Sequence, residues 1–214
     1  MNKIIMTAVM ILTFTAAIFA QVDDSKSRAI LNKVSEKATS YKNMKFDFTY
    51  IMIDKKNKVN DTLKGKIVVS GNKFNLDFME RKIISDGKTV WTYDPDAEEI
   101  QIDNVKDDQD AFNPAKLLTA YDKSFRTRLI KTITEKGKQY HVVDLYPKEG
   151  KAYYKIRLKI DKKEMRVVRI TIYNKDNVTY TYIVDKFEHD LDLKEGYFKL
   201  NPKDYPDAEV VDLR

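Results

Sequence analysis

The sequence predicts a mainly β protein with some α: a strongly curved antiparallel sheet, an incomplete or open β-barrel, lidded by helices at its concave mouth. Three observations predict it. From residue 45 onward the hydrophobic period is two in segment after segment, with large apolar or aromatic side chains at alternate positions. Short polar turns at hairpin spacing separate the segments, which favours antiparallel neighbours. A helical period is confined to one leading segment and one mid-chain interruption, and strands with a single apolar face must curl or be covered.

The elements follow in order. Residues 1–20 join the lone cation Lys3, an apolar run from Ile4 to Phe14 and a terminal Ala20 ahead of the polar Gln21-Val22-Asp23-Asp24. Those are the parts of a cleaved secretory signal. A membrane-spanning helix needs about 20 apolar residues, more than this run offers. A large Ile18 three residues before the cut makes Ala17 an alternative cleavage point. Residues 21–214 read as a single domain, since no Pro/Gly/Ser-rich linker or repeat divides them. The chain has no Cys, so neither disulfides nor thiolates hold or power it, and Gln21 gives no site for a lipid anchor.

Ser25 to Tyr41 carries Ala29, Ile30, Val34, Ala38 and Tyr41 at a spacing near 3.6, with Asp23, Asp24 and Ser25 ahead of it as caps. That spacing predicts an amphipathic helix. Phe46, Phe48, Tyr50 and Met52 then alternate with Lys45, Asp47, Thr49 and Ile51, a strand with three aromatics on one face. Leu63 to Ser70 and Lys73 to Phe78 pair around Gly71-Asn72, the second presenting Phe74, Leu76 and Phe78. Ile83-Ile84-Ser85 meets Thr89 to Tyr93 through Asp86-Gly87, a dipeptide suited to a two-residue primed turn. Asp94-Pro95-Asp96 turns the chain back into Ile100-Gln101-Ile102.

In Phe112-Asn113-Pro114-Ala115-Lys116-Leu117-Leu118, Asn113 suits a helix N-cap, Pro114 the first helical position and Phe112 a staple onto Leu117. Four strand patterns follow: Tyr140 to Leu145, Tyr153 to Ile160, Val167 to Tyr173 and Val178 to Phe187.

Chemistry-bearing residues are sparse. The two histidines are His141, in a strand, and His189, in Glu188-His189-Asp190, which reads as a surface His–carboxylate pair. Neither has zinc-ligand spacing, and Asp103, Asp107, Asp108 and Asp110 lack the glycine and terminal glutamate of a calcium loop. No nucleophile elbow or phosphate-binding glycine loop is present. The expectation is a protein that is not an enzyme and uses no cofactor or metal. The formal net charge is +6 and Tyr numbers 13, but the basic residues alternate with buried positions and mix with acids. That is a wet sheet face, not a nucleic-acid surface; its surplus suits anionic headgroups or an acidic membrane partner.

The segment Ile84-Ser85-Asp86-Gly87-Lys88-Thr89-Val90-Trp91-Thr92-Tyr93-Asp94-Pro95 resembles the characteristic hairpin of the periplasmic lipoprotein carrier family, LolA. The helix running into Asn43-Met44-Lys45-Phe46-Asp47-Phe48, the Gly65-Lys66-Ile67-Val68-Val69 and Lys73-Phe74-Asn75-Leu76-Asp77-Phe78 strands, and the Asn113 to Leu118 helix all fall in family order, and Gly196-Tyr197-Phe198-Lys199-Leu200-Asn201-Pro202 resembles its closing segment. The resemblance implies a monomeric periplasmic carrier. It would take acylated lipoproteins from an inner-membrane ABC lipoprotein exporter and deliver them to an outer-membrane acceptor or to the membrane itself.

An acyl chain is worth about 0.8 kcal/mol per buried CH₂, so such a carrier needs an apolar cavity. Phe46, Phe48, Tyr50, Phe74, Leu76, Phe78, Trp91 and Tyr93 are the residues expected to line it, with Phe112, Leu117 and Leu118 as the lid. Ser70-Gly71 stands where family members carry an Arg-Pro pair whose Arg latches the lid, so Ser70 is the candidate latch position, with one donor where Arg has five. The alternative reading is a periplasmic sensor of lipids or lipoproteins that signals through a partner. A third, an outer-membrane acceptor of related fold, would need a lipidation Cys where Gln21 stands.

Overall fold

The computed structural model describes residues 25–105 and 124–214. The expected signal segment, the lid residues Phe112, Leu117 and Leu118, and Asp107, Asp108 and Asp110 lie outside the described residues. Helix α1 (Ser25–Thr39) leads into β1 (Met44–Asp54), β2 (Val59–Ser70), β3 (Lys73–Phe78), β4 (Arg81–Ser85), β5 (Thr89–Asp94) and β6 (Glu99–Asn104). A second series follows: β7 (Phe125–Glu135), β8 (Lys138–Pro147), β9 (Tyr153–Asp161), β10 (Arg166–Asn174), β11 (Val178–His189) and β12 (Glu209–Asp212).

The strands form one 12-stranded sheet in the order β12-β6-β5-β4-β3-β2-β1-β11-β10-β9-β8-β7. Its two ends, β12 and β7, do not pair with each other, so the sheet is open, as the hairpin spacing predicts. Two meanders meet at the centre, where β1 lies antiparallel to β11 with Phe46 opposite Phe187 and Tyr50 opposite Tyr182. The edge strand β12 runs parallel to β6, Val210 facing Ile100.

Three local readings are corrected. The Asp86-Gly87 hairpin is not a two-residue turn: the last ladder pair is Ser85 with Val90, and Asp86 Oδ1 accepts from the Lys88 and Thr89 amides to shape a wider loop in which Gly87 takes φ +92°. The second meander has five strands, because Phe125–Glu135 precedes the four expected. In α1 the buried stripe is Ser27, Leu31 and Val34, while Ala29 is exposed.

Cross-strand partners share a face, so the ladders define what lies inside. The helix packs on the inner face of the second meander, where Leu31 and Val34 join Phe125, Val143, Leu145, Ile156, Leu158, Ile160 and Val167 in one cluster. Buried Ser27 and Thr127 share a hydrogen bond of 2.6 Å that pins α1 to β7. A separate inner cluster forms on the first meander: Met44, Phe48, Tyr50, Ile67, Val69 and Leu76, bordered by Phe46, Phe74 and Phe78. A third, Ile84, Trp91, Ile100, Ile102 and Leu200, lies beneath the C-terminal segment.

Candidate functional site

The two inner clusters stay separate: α1 buries Leu31 and Val34 in the second-meander cluster, while Ala38 in its last turn packs against the first. Between them runs an apolar seam. From α1 and the turn after it come Val34, Lys37, Ala38 and Tyr41; from β1 and β2 come Met44, Phe46, Phe48 and Ile67. The far wall is Met165, Arg166, Val167 and Ile170 with Tyr182, Val184 and Phe187 of β11. The β1–β11 ladder explains the floor: it sets Phe46 against Phe187 and Phe48 against Val184, so the alternation of both strands points to this space. A β-bulge at Asp185 keeps Phe187 in phase despite the odd spacing from Val184.

The seam encloses a cavity of about 80 Å³ within roughly 780 Å³ of empty space that includes its mouth. A water molecule needs about 10–15 Å³, so the cleft has room for a small apolar guest without any rearrangement. Aromatic rings dominate its lower end, where Phe46 and Phe187 lie 5.1 Å apart and Tyr41 and Phe187 lie 5.7 Å apart. Burial, with Tyr50 and Tyr180 adding to it, pushes the Tyr182 phenol well above its usual range, so it stays neutral within the wall.

A larger hollow on the opposite face is of another kind. It is lined by Lys66, Asp77, Lys82 and Tyr93, and its charges pair with one another, Lys82 with Asp77 at 2.7 Å and Lys66 with Asp77 at 3.3 Å. Phe48, Phe78, Met79 and Tyr205 also border it, so it is a mixed surface where paired charges lie beside apolar side chains, not a continuous apolar cleft.

The eight residues expected to line a cavity divide into three groups. Phe46 and Phe48 line the seam. Tyr50, Phe74, Leu76 and Phe78 share their face but pack beside the seam in the first-meander cluster, Leu76 being 5 % exposed. Trp91 and Tyr93 are on the other face of the sheet. The registers place Phe74 opposite Ser85 and Leu76 opposite Ile83, whereas Trp91 faces Ile84 and Ile102. Trp91 is therefore buried under the C-terminal segment, and the Tyr93 ring meets that of Tyr205 at a tilt, with centroids 4.3 Å apart.

Apart from Phe46 and Phe48, none of the seam residues was named as a site residue by the sequence reading: neither those of the α1 side and β1–β2, Val34, Lys37, Ala38, Tyr41, Met44 and Ile67, nor the far wall from Met165 to Phe187. The alternation of Tyr180, Tyr182 and Val184 was a usable signal, because it matches that of the first strand. Ser70 donates from Oγ to the Lys42 carbonyl at 2.9 Å, tying the end of β2 to the α1–β1 connection. The same connection is held from the other side by Asp190, which accepts from the Lys42 amide at 2.7 Å and pairs with His189 at 2.9 Å. Those two bonds, His189 first, hold the Asp190 carboxyl below its usual range. His189 also stacks on Tyr41 at 4.1 Å, so its part in the described residues is structural. Among the described residues no three His, Asp or Glu side chains converge to hold a metal ion.

The family described as "Outer membrane lipoprotein carrier protein LolA" matches residues 39–201. A curated outer-membrane lipoprotein carrier protein from Actinobacillus pleuropneumoniae serotype 7 (strain AP76) is 35% identical over 120 residues, 53% of this chain and 52% of that protein, so the match spans about half the length of the relative. Among solved structures, an uncharacterized conserved protein from Thermus thermophilus superposes with TM-score 0.60 at 15% identity, covering 87% of this chain and 99% of that one. The Pseudomonas aeruginosa MucA/MucB complex gives a chain with TM-score 0.50 at 15% identity, covering 87% of this chain and 64% of that one. At such identities these two structures speak to the fold alone.

Proposed function

The chain belongs to the outer membrane lipoprotein carrier protein LolA family, and on that footing we propose that it is a periplasmic carrier which binds the acyl chains of lipoproteins in the seam between α1 and the β1–β11 ladder. The observation that carries the reading is the seam itself: a cleft walled by alkyl and aromatic side chains, open at one end, inside a sheet that does not close. Each CH₂ moved from water into it gains about 0.8 kcal/mol, and no chemical step is needed.

The enclosed space has room for a small apolar guest, so cargo with several acyl chains must widen the seam by moving α1 from β1 and β2. The contacts favour that motion. The helix has its buried side chains and its Ser27–Thr127 bond on the second meander, while Ala38 and Tyr41 at its C-terminal end are half-buried at the rim. In the proposed cycle an inner-membrane ABC exporter supplies the acylated lipoprotein and an outer-membrane acceptor, or the membrane, receives it.

The test is native mass spectrometry of the mature protein after co-expression with a triacylated lipoprotein, with a non-acylatable version as control. A complex seen only with the acylated form supports the carrier. A complex with neither form removes it and turns attention to lipids that purify with the protein.

A further inference from the structure

The apolar seam ends at two cations. Arg166, the first residue of β10, sets its guanidinium carbon 4.5 Å from the centre of the Phe187 ring, and Lys37, in the last turn of α1, sets Nζ 5.3 Å from the centre of Tyr41. Both residues line the cavity. Phe187 and Tyr41 touch each other, so the two cations stand on the two members of one aromatic pair.

What distinguishes them is their position on the aromatic wall of the apolar seam. Lys45, Lys66, Lys82 and Arg157 each have a carboxylate within 4 Å, whereas among the described residues neither Lys37 nor Arg166 has one. Positive charge with no carboxylate within 4 Å among the described residues, in the lining of a cleft walled by alkyl groups, complements a molecule with a hydrocarbon tail and an anionic head.

We propose that the seam binds a free long-chain fatty acid, with its alkyl chain in the cavity and its carboxylate between Arg166 and Lys37. A guanidinium already oriented by ring stacking presents a planar fork that matches two carboxylate oxygens. Acyl groups held in ester or amide linkage have no charge at that end, so the two cations discriminate free from esterified chains. The inference rests on the seam being a lipid site and adds a ligand to it.

The experiment is displacement of an apolar fluorescent probe from the mature protein at pH 8.5 by laurate, by dodecanol and by lysophosphatidate. Laurate is expected to bind at least about tenfold tighter than dodecanol, the scale of one charge-assisted contact. In the double variant Arg166→Gln/Lys37→Gln the ratio should fall below about twofold. Because the ratio refers each protein to its own dodecanol affinity, a general weakening of the seam leaves it unchanged. Equal binding of laurate and dodecanol by the natural protein, or a preference that survives in the double variant, overturns the proposal. Tight lysophosphatidate binding without laurate binding overturns the fatty-acid assignment. Lipoprotein capture measured on the same samples separates the two readings: capture with no laurate preference removes this proposal alone, and laurate preference without capture removes the carrier alone.

Discussion

The ring of Phe48 occupies the space that a side chain at Gly65, its partner on the neighbouring strand, would need: a Cβ there would stand 2.4 Å from Phe48 Cζ and 2.9 Å from Phe78 Cδ2. Glycine lets the aromatic ring lie across β2, and the ring in turn covers backbone that glycine leaves bare. Phe48 is only 4 % exposed and packs against Phe78 and Tyr182, so it has nowhere to retreat except toward the seam. Gly65→Ala is expected to cost about 1–3 kcal/mol as an overpacked site and to weaken acyl-chain capture as well. Urea unfolding with a parallel binding titration checks both effects; an unchanged midpoint would show that the ring relocates freely.

Phe46 and Leu76 separate ligand surface from packed interior. Phe46 is half-buried on the floor of the seam, whereas Leu76 is buried beside Ile67 and does not line it. Phe46→Glu should reduce capture of an acylated lipoprotein at least about tenfold while leaving a folded protein, and Leu76→Glu should chiefly destabilise, by several kcal/mol for an unpaired buried carboxylate. Circular dichroism melts beside pull-down yields decide the matter. Equal loss of stability in both variants would remove Phe46 from the site.

Asp144 carries a buried, bidentate ion pair on the outer face of the second meander. Its carboxylate is 1 % exposed and accepts from Arg157 Nε at 2.7 Å and Nη2 at 2.8 Å. Asp144→Ala is expected to cost roughly 2–4 kcal/mol, below the top of the range for a broken buried pair because Arg157 keeps contact with water. Capture by the surviving folded fraction should not change, since the pair faces away from the seam. Denaturant unfolding and a binding titration normalised to folded protein test the two halves of this expectation.

Acidification should weaken the fold in part through His141. Partial burial, then the charge of Lys162, lowers its folded pKa below the ordinary value near 6.5. The unfolded chain therefore takes up the proton first. The contribution of this group is fully present above about pH 6.5 and is lost as pH falls through the folded pKa. His141→Gln should flatten the decline of the melting temperature between about pH 7 and pH 5; a slope identical to that of the natural protein would rule the group out.

Most strands were legible from alternation, β7 and β12 were not, and the seam was legible only in part; Trp91 shows why. Alternation states which residues of one strand share a face, but not which face of the sheet that is. Parity must be carried through every turn, and β4 holds Ile83 and Ile84 side by side, apolar on both faces, so the count slips there without register information. β7 was hidden for a related reason. Phe125, Thr127 and Leu129 alternate, and then an extra residue at Ile130 shifts the register and breaks the period. The far wall, from Met165 to Phe187, needed the β1–β11 pairing between strands more than 120 positions apart, which no local pattern encodes.

That central pairing also sets the order in which the molecule is completed. Each meander consists of neighbours in sequence, which assemble with little loop-closure cost, but the join between Phe46 and Phe187 must await the late strand β11. Until it arrives, β1 and β10 are bare edges and the seam has only one wall. A chain interrupted before residue 178 would lack Tyr182, Val184 and Phe187 and leave sticky strand borders, so no place for a guest exists until β11 is in position.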